Sequence, residues 1–293
     1  MIRTGNVTGD NSRWNSIRIG LEGRMKLFTV NMGLVAFLVL LSVSRLSAGE
    51  PQPRAGAPEP VVAAAADLKF ALDEIAHAFK KETGRSVKLT FGSSGTFATQ
   101  IRNGAPFQIY LSADEEYVAR LHADGYTRDA GALYAVGRIA LITPLNSRLP
   151  VDPELKGLAS KLKSGKIKRF AIANPEHAPY GRRAYEALRK AGLWDQISTR
   201  LVLGENVAQA AQFATSGSAD GGIVALSLAM SPQMKKFGRF AVIPAAWHTP
   251  LKQRMVLLKN ANATAHSFYR YLQSPAARAV MRRYGFELPG EAK

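Results

Sequence analysis

Short apolar runs alternate with segments of helical periodicity from residue 60 onward. Residues 60–66 form an apolar run of strand length, and Leu68, Leu72, Ile75 and Phe79 then recur at helical spacing. Further predicted strands are 87–91, 109–111, 138–143, 170–173, 201–203 and 222–225, and further predicted helices are 96–103, 115–124, 181–191 and 206–216. Strands that alternate with helices predict parallel sheets with helices on both faces.

Four junctions between a predicted strand and the following helix are candidate binding loops, because ligands of such sheets lie beyond the carboxyl ends of the strands. The junctions contain Asp67, the run 92–96 (Gly-Ser-Ser-Gly-Thr), the run 174–181 and the run 204–207. Helix starts offer unpaired backbone N–H groups and a partial positive charge, so this pattern predicts anion binding by neutral donors.

Helix capping alone also explains each junction taken singly, because Ser, Asp and Asn are common N-cap residues. Asp67 stands where such a cap belongs, and we expect its side chain to turn toward its own helix. Pro179 is placed to open a helix.

Composition and charge narrow the class of protein. The chain has 293 residues, which suits two domains, and its formal net charge of +17 favours an anionic partner. The basic residues are spread thinly, which favours solvated faces over a nucleic-acid surface. The absence of cysteine excludes disulfides, thiolate metal sites, a cysteine nucleophile and a lipidated cysteine anchor.

Residues 1–49 are interpreted as an N-terminal extension with an export signal. Arg24 and Lys26 precede an apolar run at 34–41, and the small residues 47–49 (Ser-Ala-Gly) follow it. The apolar run is too short to span a bilayer, which takes about 20 residues. We expect cleavage after Ala48 or Gly49, a Pro/Gly-rich linker over 50–60, and a periplasmic protein of a Gram-negative bacterium.

Catalytic motifs are missing from the sequence. The five histidines show no metal-ligand spacing, and His177 is the one that falls in a junction loop. No Gly-x-Ser-x-Gly elbow, phosphate-binding lysine motif or dinucleotide-binding glycine motif occurs. We therefore expect neither an enzyme nor a cofactor.

Six runs, in the same order along the chain, resemble the periplasmic molybdate-binding proteins of ABC transporters. The runs are 63–68 (Ala-Ala-Ala-Ala-Asp-Leu), 91–96, 104–114, 173–181, 205–207 and 283–286. The resemblance extends from about residue 61 to residue 288.

This resemblance implies an α/β fold of the two-lobed periplasmic-binding-protein clamshell, type II-like, in which each lobe is a central sheet flanked by helices. Residues 61–137 and 251–293 would form lobe 1, and residues 138–250 lobe 2. The implied function is high-affinity binding of molybdate, and of tungstate as well, followed by delivery to the membrane permease of an ABC importer. The implied state is a monomer, with no nucleic acid as partner.

The ligand contacts that the resemblance implies involve six residues: Ala66, Asp67, Ser93, Ser94, Tyr180 and Val207. Val207 would bind through its backbone. Asp67 stands where some members have Ser, so only its backbone N–H is expected to bind. Ala225 stands where some members have a ligating Tyr, so that contact is expected to be missing.

The sequence alone leaves other interpretations of the function open. Sulfate or phosphate would suit the same donors, and phosphate keeps a proton that Asp67 could accept. An effector-sensing domain of a transcription regulator shares this clamshell but needs a DNA-binding helix-turn-helix, whereas residues 1–49 have the pattern of an export signal. The absence of a nucleophile–base pair disfavours an enzyme.

Overall fold

The computed structural model describes residues 59–290. The predicted export signal and most of the predicted linker lie outside these residues. Ten strands occur in the described range: β1 Val61–Ala65, β2 Lys88–Gly92, β3 Phe107–Ser112, β4 Ala132–Gly137, β5 Ile139–Pro144, β6 Phe170–Ala173, β7 Leu201–Gly204, β8 Gly222–Ala225, β9 Gly238–Val242 and β10 Leu251–Leu257.

The helices of the same range lie mostly between consecutive strands. They are α1 Lys69–Thr83, α2 Ser94–Arg102, α3 Glu115–Ala123, α4 Lys156–Lys163, α5 Pro179–Lys190, α6 Trp194–Ile197, α7 Val207–Thr215, α8 Leu226–Ala229, α9 Pro232–Lys235, α10 Ala263–Tyr271 and α11 Pro275–Arg283, with 3₁₀ turns at Ala66–Leu68, Ser198–Arg200 and Ala245–Trp247. None of these helices has the length and apolar character needed to cross a bilayer.

The strands form two five-stranded sheets, each flanked by helices. The strand order is β2-β1-β3-β10-β4 in the first sheet and β7-β6-β8-β5-β9 in the second. This arrangement confirms the predicted α/β fold with two lobes.

The prediction of parallel sheets holds for only part of each sheet, because both sheets are mixed. β1 pairs in parallel with β2 and β3, whereas β10 runs antiparallel to β3 and β4. In the second sheet β5 runs antiparallel to β8 and β9. The antiparallel strands are those that carry the chain between the sheets, from β4 into β5 and from β9 into β10.

The strands that lead to the candidate binding loops are fixed in place by the burial of their small and branched side chains. All of β1 after Val61 is buried, and its alanines let α1 pack closely on the sheet through Leu72, Ile75 and Phe79. Phe79 meets Phe268 of α10 edge to face, with ring centroids 5.1 Å apart. In the second sheet β6 and β8 are buried along their whole length. The first turn after each of these strands is therefore anchored in a core.

Candidate functional site

All six residues expected to bind a ligand line one cavity between the two sheets. They are Ala66, Asp67, Ser93, Ser94, Tyr180 and Val207, and the rest of the wall is Ala65, Gly92, Ala113, Ala178 and Pro179. The structure therefore brings together junction residues that lie as far as 141 positions apart in the chain, from Ala66 to Val207. No lysine, arginine or histidine of the described part of the chain contributes to the wall.

The cavity is small. The volume in which the centre of a water molecule could lie is about 10 Å³, close to the room that a single water molecule needs. In this closed arrangement the cavity suits one small ion and excludes a sugar or a peptide. A larger groove of about 350 Å³, lined by Phe70, Ala211 and Phe237 among others, is mainly apolar and contains none of the six residues.

The start of α2 supplies one hydroxyl to the cavity. Ser93 caps the helix, because its Oγ accepts a hydrogen bond from the N–H of Thr96 at 3.2 Å, as its sequence position predicts. The same Oγ also contacts Nδ1 of His177 at 2.9 Å, so it is committed within the protein. Ser94 Oγ accepts from the N–H of Ala113 at 3.0 Å and keeps its own hydrogen for a further acceptor.

The starts of three helices each leave one backbone N–H without a partner. Asn206 caps α7 by accepting from the second and third N–H groups of the helix, at Ala208 and Gln209, which leaves the first N–H, that of Val207. In α5 Pro179 has no N–H, and the next one belongs to Tyr180. Within residues 59–290 the N–H groups of Ser94, Tyr180 and Val207 donate to no protein group. Such groups bind anions.

The prediction that Asp67 caps its own helix is wrong. The turn Ala66–Leu68 has no side-chain cap, and its N-cap position is occupied by Ala65. Instead, Asp67 Oδ2 accepts from the hydroxyl of Tyr180 at 2.9 Å and from Nε2 of Gln253 at 2.7 Å. The physical reason is that Asp67, in the turn after β1, is only 1% exposed. Its buried side chain lies beside the hydroxyl of Tyr180 from the other lobe and the amide of Gln253 from β10.

Gln253 is a residue of this network that the sequence analysis missed. Its Oε1 accepts from the hydroxyl of Tyr134 at 2.7 Å, which turns its Nε2 toward Asp67. The sequence contained a signal for this role, because Leu251, Gln253 and Met255 stand at alternate positions along β10 and are buried on the same face of the strand. A polar residue at an inward position needs a buried partner.

Burial changes the acid–base properties of this network. Loss of solvation raises the pKa of Asp67 to about 7, although hydrogen bonds from Gln253 and Tyr180 and the nearby backbone N–H groups of Asp67 and Leu68 act to lower it. Burial, followed by the nearby Asp67, raises the pKa of both Tyr180 and Tyr134 well above the ordinary value. Both tyrosines are therefore hydrogen-bond donors at neutral pH.

Direct contacts between the lobes hold the cavity closed. Besides the bond from Tyr180 to Asp67, Ser227 Oγ donates to the carbonyl of Asp67 at 2.8 Å. The N–H of Gly95 donates to the carbonyl of His177 at 2.9 Å. A Cβ at Gly95 would lie 2.7 Å from that carbonyl oxygen, so this contact requires glycine.

Position 225 is where the sequence analysis expected one ligand contact to be missing. Ala225 ends β8, is fully buried and lies outside the wall of the cavity. Among the described residues no group of three or more His, Asp or Glu side chains is arranged to hold a metal ion.

Comparison with known proteins gives a family for the chain. A family model described as bacterial extracellular solute-binding protein matches residues 60–287. The molybdate-binding protein ModA of Azotobacter vinelandii is 35% identical over 257 residues, which cover 87% of this chain and 100% of that protein. The protein of the same name from Rhodobacter capsulatus is 35% identical over 235 residues, 79% of this chain and 89% of the relative.

A solved structure extends the likeness to the fold. The structure of the periplasmic molybdate-binding protein of Azotobacter vinelandii superposes with a TM-score of 0.72 at 33% identity, covering 79% of this chain and 100% of that chain. Sequence and fold thus agree, and the chain belongs to the bacterial extracellular solute-binding proteins, in the family of the molybdate-binding proteins.

Proposed function

We propose that this protein binds one molybdate dianion in the cavity between its lobes, outside the cytoplasm, and delivers it to the permease of an ABC importer. The observation that carries the proposal is the convergence of unpartnered N–H groups and one hydroxyl on a cavity with room for a single small ion. The molybdate-binding relatives give the anion its identity. Tungstate has the same charge and shape and is expected to bind as well.

Neutral donors explain how such a site can hold a dianion. Each unpartnered N–H at a helix start carries part of the helix dipole and points at the ligand without any charged side chain. We assign the backbone N–H groups of Ser94, Tyr180 and Val207 and the Ser94 hydroxyl to the oxyanion oxygens. Ala66 and Asp67 contribute the N–H groups of the first turn after β1. Ser93 shapes the loop, because its hydroxyl is already used.

Opening and closing of the lobes would admit and release the ion. We infer that residues 61–137 and 251–293 move as one body and residues 138–250 as the other. This division follows the strands, since β4 and β10 belong to the first sheet and β5 and β9 to the second. The contacts of Tyr180 and Ser227 with Asp67 cross the two bodies and would break on opening.

Export to the periplasm is the expected route, because the basic, apolar and small residues before Pro51 follow the order of a cleaved signal. N-terminal sequencing of protein from the periplasmic fraction should give a start near Gly49 or Glu50. Recovery of the full-length chain from the cytoplasm alone would contradict export.

Ligand specificity is tested by a thermal-shift panel of molybdate, tungstate, sulfate and phosphate. A ligand present at 100 times its dissociation constant adds about 2.7 kcal/mol to the free energy of unfolding. For a protein of this size that corresponds to a rise in Tm of roughly 5–10 °C. We expect the rise with molybdate and tungstate. Equal or larger shifts with sulfate or phosphate would assign the site to those anions instead.

Replacement of Ser94 by alanine tests the assigned hydroxyl. A hydrogen bond to a charged group contributes about 1.5–3 kcal/mol, so Ser94→Ala should weaken molybdate binding by about ten- to a hundredfold in titration calorimetry. The variant should also lose some stability, because the N–H of Ala113 loses its acceptor.

The neighbouring variant Ser93→Ala is the matched control for this experiment. It removes the cap of the same helix and should cost about 1 kcal/mol of stability, with a much smaller effect on affinity. If the two variants weakened molybdate binding equally, Ser94 would make no contact of its own with the anion.

A further inference from the structure

Of the residues that the structure describes, Asp67 is the only one that brings a carboxyl group to the wall of the cavity. Its two oxygens differ in their hydrogen-bond partners. Oδ2 accepts the hydrogen bonds from Tyr180 and Gln253. Oδ1 is buried and has no hydrogen-bond partner within the described residues. Leaving an oxygen of a buried carboxyl without a hydrogen-bond partner costs free energy. We therefore expect the ligand of the cavity to be the hydrogen-bond partner of Oδ1.

The surrounding network determines which oxygen can carry a proton. Gln253 Nε2 donates both to Asp67 Oδ2 and to the hydroxyl oxygen of Tyr180, at 2.7 and 3.1 Å. The hydrogen of Tyr180 is therefore directed to Oδ2, which then receives two donors. A proton on this carboxyl can reside only on Oδ1.

The charge of the ligand requires that proton. A dianion beside an ionised carboxylate in a site without water would be strongly repelled, whereas a neutral carboxylic acid donates a hydrogen bond. Burial has already raised the pKa of Asp67 to about 7, and a dianion in contact would raise this pKa further.

Within residues 59–290, no cationic group faces Asp67 to compensate its charge. The titratable groups beside it are Tyr180 from α5 and Tyr134 from β4. Gln253 from β10 and Ser227 from α8 are neutral, and Lys69, at the start of α1, is exposed.

We propose that Asp67 binds the oxyanion as a neutral carboxylic acid, whose Oδ1–H group donates a hydrogen bond to one oxygen of the anion, so that each anion is bound together with one proton held on Asp67. This inference rests on the proposed function, since it concerns the same cavity. No covalent bond of the anion changes. Above the pH at which the free protein loses this proton, solvent supplies it as the anion binds.

The direct test is proton uptake, measured by titration calorimetry with molybdate in two buffers of different ionisation enthalpy. With a pKa of about 7 in the free protein, binding should take up about 0.9 proton per molybdate at pH 8 and about 0.1 at pH 6. The affinity should be constant below pH 7 and fall about tenfold per pH unit above it.

The isosteric variant Asp67→Asn removes the proton and keeps the geometry. Its amide oxygen can accept from Tyr180 and Gln253, and its amide nitrogen can donate to the anion. We expect affinity within a few-fold of the wild type at pH 6, no dependence on pH up to pH 9, and binding about a hundredfold tighter than the wild type at pH 9.

His177 provides the matched control, because its imidazole lies at the edge of the site, with Nδ1 2.9 Å from Ser93 Oγ. His177→Gln should retain the slope above pH 7. Loss of the slope in this variant, or binding by the wild type without proton uptake at pH 8, would overturn the assignment to Asp67. A wild type that fails to bind molybdate at pH 6 would instead contradict the proposed function itself.

Discussion

The closed cavity depends on one constraint, which is that a buried backbone N–H must have an acceptor. Side-chain caps satisfy the second and third N–H groups of α7 and the third of α2, while the carbonyl of His177 satisfies the N–H of Gly95. The N–H groups of Ser94, Tyr180 and Val207 remain, and they belong to residues that line the same cavity. An oxyanion that enters this space would supply the missing acceptors all at once.

A site of this kind selects anions by their size and by whether they carry a proton. Its donors cannot adjust their charge, and its wall of alanine, glycine and proline leaves about 10 Å³ for the centre of a water-sized atom. Asp67 adds the second criterion, because a carboxyl with one fully occupied oxygen and one free oxygen can accept or donate only at Oδ1. Among the residues that the structure describes, no lysine, arginine or histidine lines the cavity, so the site itself carries no compensating cation.

Local periodicity was enough to predict the strands and helices that lead to the site. The Val–Ala run before Asp67, the glycine–serine loop before α2 and Pro179 at the start of α5 each carry a signal within a few residues. The predicted binding residues therefore came together in one cavity, with Asn206 and Ser93 as caps.

The predictions that were wrong concern features that are determined by packing between distant parts of the chain. The antiparallel direction of β5 and β10 depends on where the chain crosses between sheets, which no local pattern encodes. The side chain of Asp67 turned away from its helix because Tyr180, 113 positions later, and Gln253, 186 positions later, offer better donors in the buried site. A capping preference of about 1 kcal/mol is easily outweighed by two hydrogen bonds to a buried carboxyl.

The most direct test of the account is a crystal structure of the mature protein grown with molybdate, with anomalous scattering used to locate the metal atom. The account predicts one molybdenum atom in the cavity, with oxyanion oxygens within hydrogen-bond distance of Ser94 Oγ, the N–H of Val207 and Oδ1 of Asp67. A molybdenum atom found elsewhere, or an anion in the cavity whose oxygens do not meet these donors, would contradict it.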